Sequence, residues 1–275
     1  MLRYRILTAI ILIPLFLLLL FKLTPPAFCM ATGIVVLFCA WEWSALMGLT
    51  RFYALIYPAI LFILLILFVL LPIPIFQFIA AASVWWLFAA LLVFCYPTLS
   101  DAWGNSKVIR GLMGFLVLIP CWLAINYLRN LGQHADQGVD IVLFLFVLIW
   151  GADSGAYFVG KKWGKTKLAP AVSPGKSWQG LLGAIVTCIV ITLMALVWSH
   201  TPYQQWLWVL LVVMITVIFS VVGDLFESML KRRENLKDSG KLLPGHGGVL
   251  DRIDSLTAAA PIFTMGIWFL GKVVH

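Results

Sequence analysis

Charged residues are scarce in this chain: only 11% of its 275 residues are charged, and 63% are hydrophobic. Ordinary soluble domains carry about 25% charged residues, so this composition excludes a typical soluble fold. C-x-x-C pairs are also absent, and the five cysteines all lie inside apolar runs: Cys29, Cys39, Cys95, Cys121 and Cys188. We therefore expect small buried thiols, with neither a disulfide framework nor a zinc site.

Long apolar runs predict an all-α integral membrane protein with about nine spanning helices, since one span needs roughly 20 mostly apolar residues. Proline stops a helix, so residues 25–26 and 72–74 mark turns. The first run reads as a retained span, because no small-x-small cleavage site follows it. No polar stretch suits a separate soluble domain, so residues 1–275 are predicted to form one membrane domain. The predicted spans are 6–23, 27–47, 53–71, 75–95, 108–128, 139–160, 178–198, 204–226 and 255–271.

Lysine and arginine are distributed unevenly between alternate loops. With the N-terminus in the cytoplasm, all but three of the 19 basic residues fall on the cytoplasmic side. This follows the positive-inside rule and places the polar loops 161–177 and 227–254 in the cytoplasm. Topology and lipid contact explain the net charge of +8, so we do not expect nucleic acid as a partner.

The polar stretch from Gly223 to Arg233 begins inside the eighth predicted span. If the helix continues into the loop, four polar residues share one face: Asp224, Glu227, Ser228 and Lys231. One interpretation is a structural salt bridge between Glu227 and Lys231. The other is a functional face, because a carboxylate at the end of a spanning helix is costly without a partner.

A glycine-rich turn at residues 244–248 leads into the ninth predicted span. Its backbone N–H groups could approach phosphate oxygens closely, at the positive end of the following helix. Asp251 and Asp254 lie on the first turns of that helix, either to satisfy its dipole or to bind a metal. Beside the glycine turn and many Lys and Arg residues, these two carboxylates suit a metal–triphosphate site, in which carboxylate oxygens hold Mg²⁺ and substrate phosphates complete its shell. His246 suits either direct catalysis or structural positioning.

A second polar patch lies around the sixth span and the loop that follows it. Asp153 is a carboxylate inside an apolar run, which is a functional hypothesis by default. Lys176 and Ser177 precede the seventh span, where a Ser/Gly/Lys turn can bind an anion. The spacing is not that of a Walker phosphate loop, and no strand is predicted before it. The positive-inside rule alone explains Lys161. Glu42, in the second span, suits an internal hydrogen bond, a dimer contact or a substrate cavity.

The stretch from Ser228 to Asp254 resembles the signature of the phosphatidate cytidylyltransferases, the CDP-diacylglycerol synthases. The match includes Lys237-Asp-Ser-Gly and Pro-Gly-His-Gly-Gly-Val-Leu-Asp251-Arg-Ile-Asp254, without a gap. The segments 153–157 and 173–180 are also similar to this family, whereas the first five spans match only in general character. The signature and catalytic region is thus expected at about 150–260.

This resemblance implies transfer of CMP from CTP to phosphatidate, giving CDP-diacylglycerol and diphosphate, with Mg²⁺ and an associated potassium ion. It also implies a homodimer and, for a bacterial chain, the inner membrane. The resemblance implies Asp224, Asp251 and Asp254 as metal ligands and catalytic residues. Lys231 and His246 complete the catalytic candidates. The substrate-binding candidates are Lys176, Ser177, Ser228, Arg232, Lys237, Gly247, Gly248 and Arg252.

Three alternatives stay open from the sequence. A transporter would spread polar residues through several spans, as Glu42 and Asp153 partly do. A different CTP-using lipid enzyme, such as a polyprenol kinase or an archaeal-type lipid cytidylyltransferase, would keep the nucleotide site and change the acceptor. A membrane scaffold would leave the pair Asp251 and Asp254 unexplained.

Overall fold

A computed structural model describes residues 2–50, 52–132, 135–243, 245 and 247–273. The described chain is mostly helical, with one short hairpin and one 3₁₀ turn at Tyr53–Leu55. The helices are α1 (Leu2–Lys22), α2 (Pro25–Leu46), α3 (Ile56–Leu70), α4 (Ile75–Phe94), α5 (Ser100–Gly104), α6 (Lys107–Arg129), α7 (Ala135–Trp163), α8 (Trp178–Trp198), α9 (Tyr203–Arg233) and α10 (Leu250–Val273).

Among the described residues, eight helices are long and apolar enough to cross a membrane, namely α2, α3 with the turn before it, α4 and α6 to α10. The predicted integral membrane fold is therefore confirmed. α1 contributes a shorter apolar segment, Ile10–Lys22. A ninth span and the cytoplasmic N-terminus stay predictions.

α10 is the central helix of the bundle and packs against α9, α6, α4 and α7. Small side chains allow this close approach: Ala258, Ala259 and Ala260 are fully buried. Gly223 of α9 lies so close to α10 that an added Cβ would stand 2.5 Å from the carbonyl oxygen of Asp254. The acidic end of α9 is thereby held against the acidic start of α10.

The polar loop after α7 contains a two-stranded antiparallel hairpin that the sequence did not predict. Strand β1 (Lys167–Ala169) pairs with β2 (Ser173–Ser177). The expected turn before α8 is therefore wrong: this segment is a strand that leads directly into the helix. Val172, between the strands, is buried, and its carbonyl accepts a hydrogen bond from Arg232 Nε at 3.2 Å. Because of this contact, the two long polar loops meet at one end of the bundle.

Candidate active site

The last turns of α9 form a polar helical face. The helix continues to Arg233, which confirms the predicted alignment of Asp224, Glu227, Ser228 and Lys231. Ser228 Oγ donates to Asp224 Oδ1 at 3.3 Å. Lys231 Nζ donates to Glu227 Oε2 at 3.0 Å, so the simple salt bridge exists. It is one part of a larger network.

Lys231 also reaches α10, where its Nζ lies 2.6 Å from Asp251 Oδ1. Only 12% of the Lys231 side chain and 6% of the Asp251 side chain are exposed. The ammonium group thus joins carboxylates from two helices in a poorly hydrated environment. Removing one member of such a network leaves an uncompensated buried charge, which is strongly destabilising.

The second oxygen of Asp251 accepts three hydrogen bonds from the segment before α10. The donors are Ser239 N at 2.9 Å, Ser239 Oγ at 3.0 Å and Gly248 N at 2.8 Å. Both oxygens of Asp251 are therefore engaged by protein groups. This carboxylate holds the signature loop against Lys231 and α10.

The glycines of the signature turn have uses that the sequence analysis did not foresee. Gly247 has a φ of +85°, which L side chains rarely adopt, and its N–H donates to the Leu243 carbonyl at 3.2 Å. The Gly248 N–H is used by Asp251. These two N–H groups are thus satisfied within the protein, and their predicted contact with substrate phosphate stays a prediction.

A cleft of about 430 Å³ opens between α7, α8, α9 and the hairpin. Its polar lining includes Asp153 and Lys161 from α7, Lys176 from β2 and Asp224 from α9. Lys176 Nζ lies 2.6 Å from Asp224 Oδ2. Apolar side chains form much of the rest, including Leu168, Leu181 and Val221. A charged patch inside an apolar cleft can accept an amphiphilic anion.

Acidic groups cluster beside this cleft. Asp254 interacts electrostatically with Asp224 and Glu227, and Asp153 does so with Asp224, Lys176 and Arg252. In the part of the chain that the structure describes, no three acidic, histidine or cysteine side chains form a ready metal-binding group. The three-aspartate set is not assembled as one cage, because Asp251 is turned toward Lys231.

The donor chemistry nevertheless fits Mg²⁺. This ion usually binds through one or two carboxylates and completes its octahedron with water and substrate phosphates. Asp224 and Asp254 supply two neighbouring carboxylates. Their role as metal ligands stays a prediction.

The structure separates most of the remaining predicted residues from the cleft. Ser177 is the exception: it lines the cleft next to Lys176 and also caps α8, since its Oγ accepts the Gly180 N–H at 3.1 Å. Arg232 contacts the hairpin, Arg252 is exposed and acts on Asp153, and Lys237 is exposed in the signature loop. His246 lies outside the described residues.

Two contributors to the site were missed or left undecided by sequence reasoning. Lys161 lines the cleft rather than serving topology alone, and its Nζ lies 3.4 Å from the Tyr157 hydroxyl. The spacing of Asp153, Tyr157 and Lys161, one helical turn apart, could have indicated this shared face. Glu42 of α2 contacts the start of α10, 207 positions away. No local sequence pattern could show this contact.

These features define a class: a multi-span helical membrane protein with a lysine- and carboxylate-lined cleft at one end of its bundle. The Cytidylyltransferase family model matches residues 3–270. The chain belongs to this family.

Curated relatives match over almost the whole chain. A phosphatidate cytidylyltransferase of Pseudomonas aeruginosa is 42% identical over 272 residues, which cover 98% of both chains. One from Haemophilus influenzae is 39% identical over 288 residues, covering 98% of this chain and all of the relative. One from Bacillus subtilis is 38% identical over 180 residues, covering 64% of each chain.

Proposed function

We propose that this chain is a phosphatidate cytidylyltransferase, which converts CTP and phosphatidate into CDP-diacylglycerol and diphosphate. The observation that carries the proposal is the full-length similarity to relatives of that name. The cleft supports it, because lysines and carboxylates stand beside apolar side chains at the end of a membrane bundle. A lipid phosphate and a soluble nucleotide could meet in such a place.

The reaction requires positioning and charge neutralisation more than proton transfer. A phosphate oxygen of the lipid attacks the α-phosphorus of CTP, the bond from that phosphorus to the bridging oxygen breaks, and diphosphate leaves. The attacking phosphate is already anionic near neutral pH, since its second pKa is about 6. The ammonium groups of Lys176 and Lys161 are suited to bind and orient the anionic reactants.

We further propose that Asp224 and Asp254 hold Mg²⁺ together with substrate phosphates. When bound, this ion would neutralise charge that develops on the transferred group and on the leaving diphosphate. Lys231 keeps Asp251 and Glu227 in place next to this pair of carboxylates. An additional potassium ion is an expectation of the family resemblance alone.

The same resemblance supports a homodimer in a bacterial inner membrane. The distribution of basic residues supports a cytoplasmic cleft, where CTP is available. Labelling of single cysteines introduced into the β1–β2 hairpin, in intact and permeabilised cells, tests the orientation. Reaction with an impermeant reagent in intact cells would contradict it.

The decisive assay incubates the purified protein with labelled CTP, Mg²⁺ and phosphatidate. We expect stoichiometric CDP-diacylglycerol and diphosphate. Diacylglycerol, which lacks the phosphate, serves as the negative control, and polyprenol and an unsaturated archaeal-type ether phospholipid precursor test the alternative acceptors. Preference for one of those acceptors, or transport without turnover, would refute the proposal.

A further inference from the structure

Glu42 is a buried carboxylate near the C-terminal end of α2, with only 2% of the residue exposed. Its Oε1 accepts the Val249 N–H at 3.0 Å, and its Oε2 accepts the Leu250 N–H at 2.8 Å. Those two N–H groups open α10, which is the helix that carries Asp251 and Asp254. A carboxylate at this point satisfies free backbone donors and interacts favourably with the positive end of the helix dipole.

The same carboxylate holds the signature loop through Ser239. Ser239 Oγ lies 3.3 Å from Glu42 Oε2 and 3.0 Å from Asp251 Oδ2, while the Ser239 N–H donates to Asp251. Contacts thus run from Glu42 through Ser239 to Asp251 and on to Lys231. They connect α2 with two residues of the candidate active site.

Two loop glycines leave the space that this carboxylate occupies. A Cβ at Gly248 would stand 2.5 Å from Glu42 Oε2, and a Cβ at Gly240 would overlap Glu42 Oε1. The loop therefore closes directly on the carboxylate from two sides. The space taken by the Glu42 carboxylate leaves no room for a side chain at either position.

We infer that Glu42 is a positioning residue of the active site, which fixes the signature loop and the start of α10 so that Asp251 and Lys231 keep their alignment. The inference rests on the proposed function for its catalytic consequence. The statement that Glu42 holds the signature loop and the start of α10 rests only on the contacts above. Glu42 has no expected contact with substrate, because its oxygens are covered by protein donors.

The test compares Glu42→Gln with Ser44→Ala, both made in the full chain. Gln keeps the shape but presents an NH₂ group to backbone donors, so one or more N–H groups lose their acceptor. Ser44 is equally buried on α2, yet its hydroxyl only contacts the Trp41 carbonyl of the same helix. We expect kcat per folded molecule to fall about tenfold or more in Glu42→Gln, the size of effect that unsatisfied buried donors produce.

A positioning role predicts a local effect. The lysines that we expect to bind phosphatidate, Lys161 and Lys176, lie on α7 and β2 and not on the segment that Glu42 holds, so we expect the KM for phosphatidate to stay within about twofold of wild type. Hydrogen exchange should rise in residues 237–250 and remain unchanged in α7 and α8. Ser44→Ala should change neither kcat nor exchange. Wild-type kcat in folded Glu42→Gln, or faster exchange spread over the whole bundle, would overturn the inference.

Two further variants keep the test decisive. If Glu42→Gln fails to fold, Ser239→Ala removes the hydroxyl that lies between Glu42 and Asp251 while both carboxylates keep their backbone donors, and its wild-type turnover would overturn the inference. In a double-mutant cycle, the losses from Gly240→Ala and Glu42→Ala should be less than additive, because they disturb the same contact. If wild-type protein forms no CDP-lipid, the proposed function fails, while the exchange comparison still decides whether Glu42 holds the loop.

Discussion

Replacement of Asp251 by asparagine is the most informative test of the candidate active site, because the two side chains have nearly the same shape. The Asp251 carboxylate receives Lys231 on one oxygen and three donors on the other, two from Ser239 and one from Gly248. Asparagine has one acceptor oxygen and one NH₂ group. In either orientation of the amide, its NH₂ group therefore faces another donor, which is Lys231 on one side and Ser239 with Gly248 on the other.

The size of the effect follows from burial. Only 6% of the Asp251 side chain and 12% of the Lys231 side chain are exposed, so solvent does little to screen the lost charge. Breaking a buried pair by removing one partner costs about 3–5 kcal/mol, and hydrogen bonds to charged groups contribute about 1.5–3 kcal/mol each. Because Glu227 still pairs with Lys231 in the variant, the ammonium group keeps one partner, and we expect a loss near the lower end of the range of about 3–5 kcal/mol. The same contacts align the groups that we expect to stabilise the transition state, so an equal loss of about 3 kcal/mol there corresponds to roughly a 100-fold fall in turnover.

The assay measures Mg²⁺-dependent CDP-diacylglycerol formation by purified Asp251→Asn, normalised to folded protein from a thermal-unfolding curve. Asp140→Asn is the matched control. Asp140 is exposed near the N-terminal end of α7, whereas the cleft residues of that helix lie toward its C-terminal end. We expect the control to retain wild-type turnover. Near-normal turnover by folded Asp251→Asn would remove Asp251 from the mechanism and refute the reasoning from its contacts.

Three further predictions address the cleft. Lys176→Gln removes the ammonium 2.6 Å from Asp224 and should lower turnover about 10- to 100-fold, while Lys167→Gln on the partner strand should not; equal losses would contradict a specific role. Lys161→Gln should raise the KM for phosphatidate, because it removes an ammonium group from the lining of the cleft. Lys162→Gln is the control for this variant, because the Lys162 ammonium lies over the Trp163 ring. Equal KM values in the two variants would contradict a specific role of Lys161. Chelation by EDTA should abolish turnover, with recovery in Mg²⁺ but not in K⁺ alone, and undiminished turnover in EDTA would exclude the metal.

The parts of this protein that periodicity controls could be predicted from the sequence. Apolar runs of spanning length and proline breakers located most of the spanning helices to within a few residues, because the bilayer admits little other backbone structure. The shared face of Asp224 and Lys231 depended on the helix continuing past the predicted span end at 226, and α9 does continue to Arg233. Asp251 and Asp254 lie on the first turns of α10, as expected.

What escaped prediction depends on contacts between distant segments. The β1–β2 hairpin is short and contains Pro174 and Gly175, so its composition indicates a turn. Its burial against Arg232 exists only in the folded bundle. The direction of the Asp251 carboxylate toward Lys231 depends likewise on the approach of α9 to α10 at Gly223, which spacing within either helix cannot reveal.

The contacts of Glu42 change how the signature itself is understood. Read as a sequence, the glycines of the turn at residues 244–248 suggest backbone donors that face a substrate phosphate. In the structure, Gly240, Gly248 and Ser239 face a buried carboxylate of α2, and the Gly248 N–H serves Asp251. Much of the signature therefore encodes the attachment of a polar loop to a membrane helix. Chemistry with a charged nucleotide at a membrane surface needs such an attachment. Without it, the loop would become ordered only on binding, and the entropy lost would weaken the binding of the substrate. Of the charged groups that line the cleft, Lys161, Lys176 and Asp224 are the ones that we expect to meet the substrates, together with Asp254 beside Asp224.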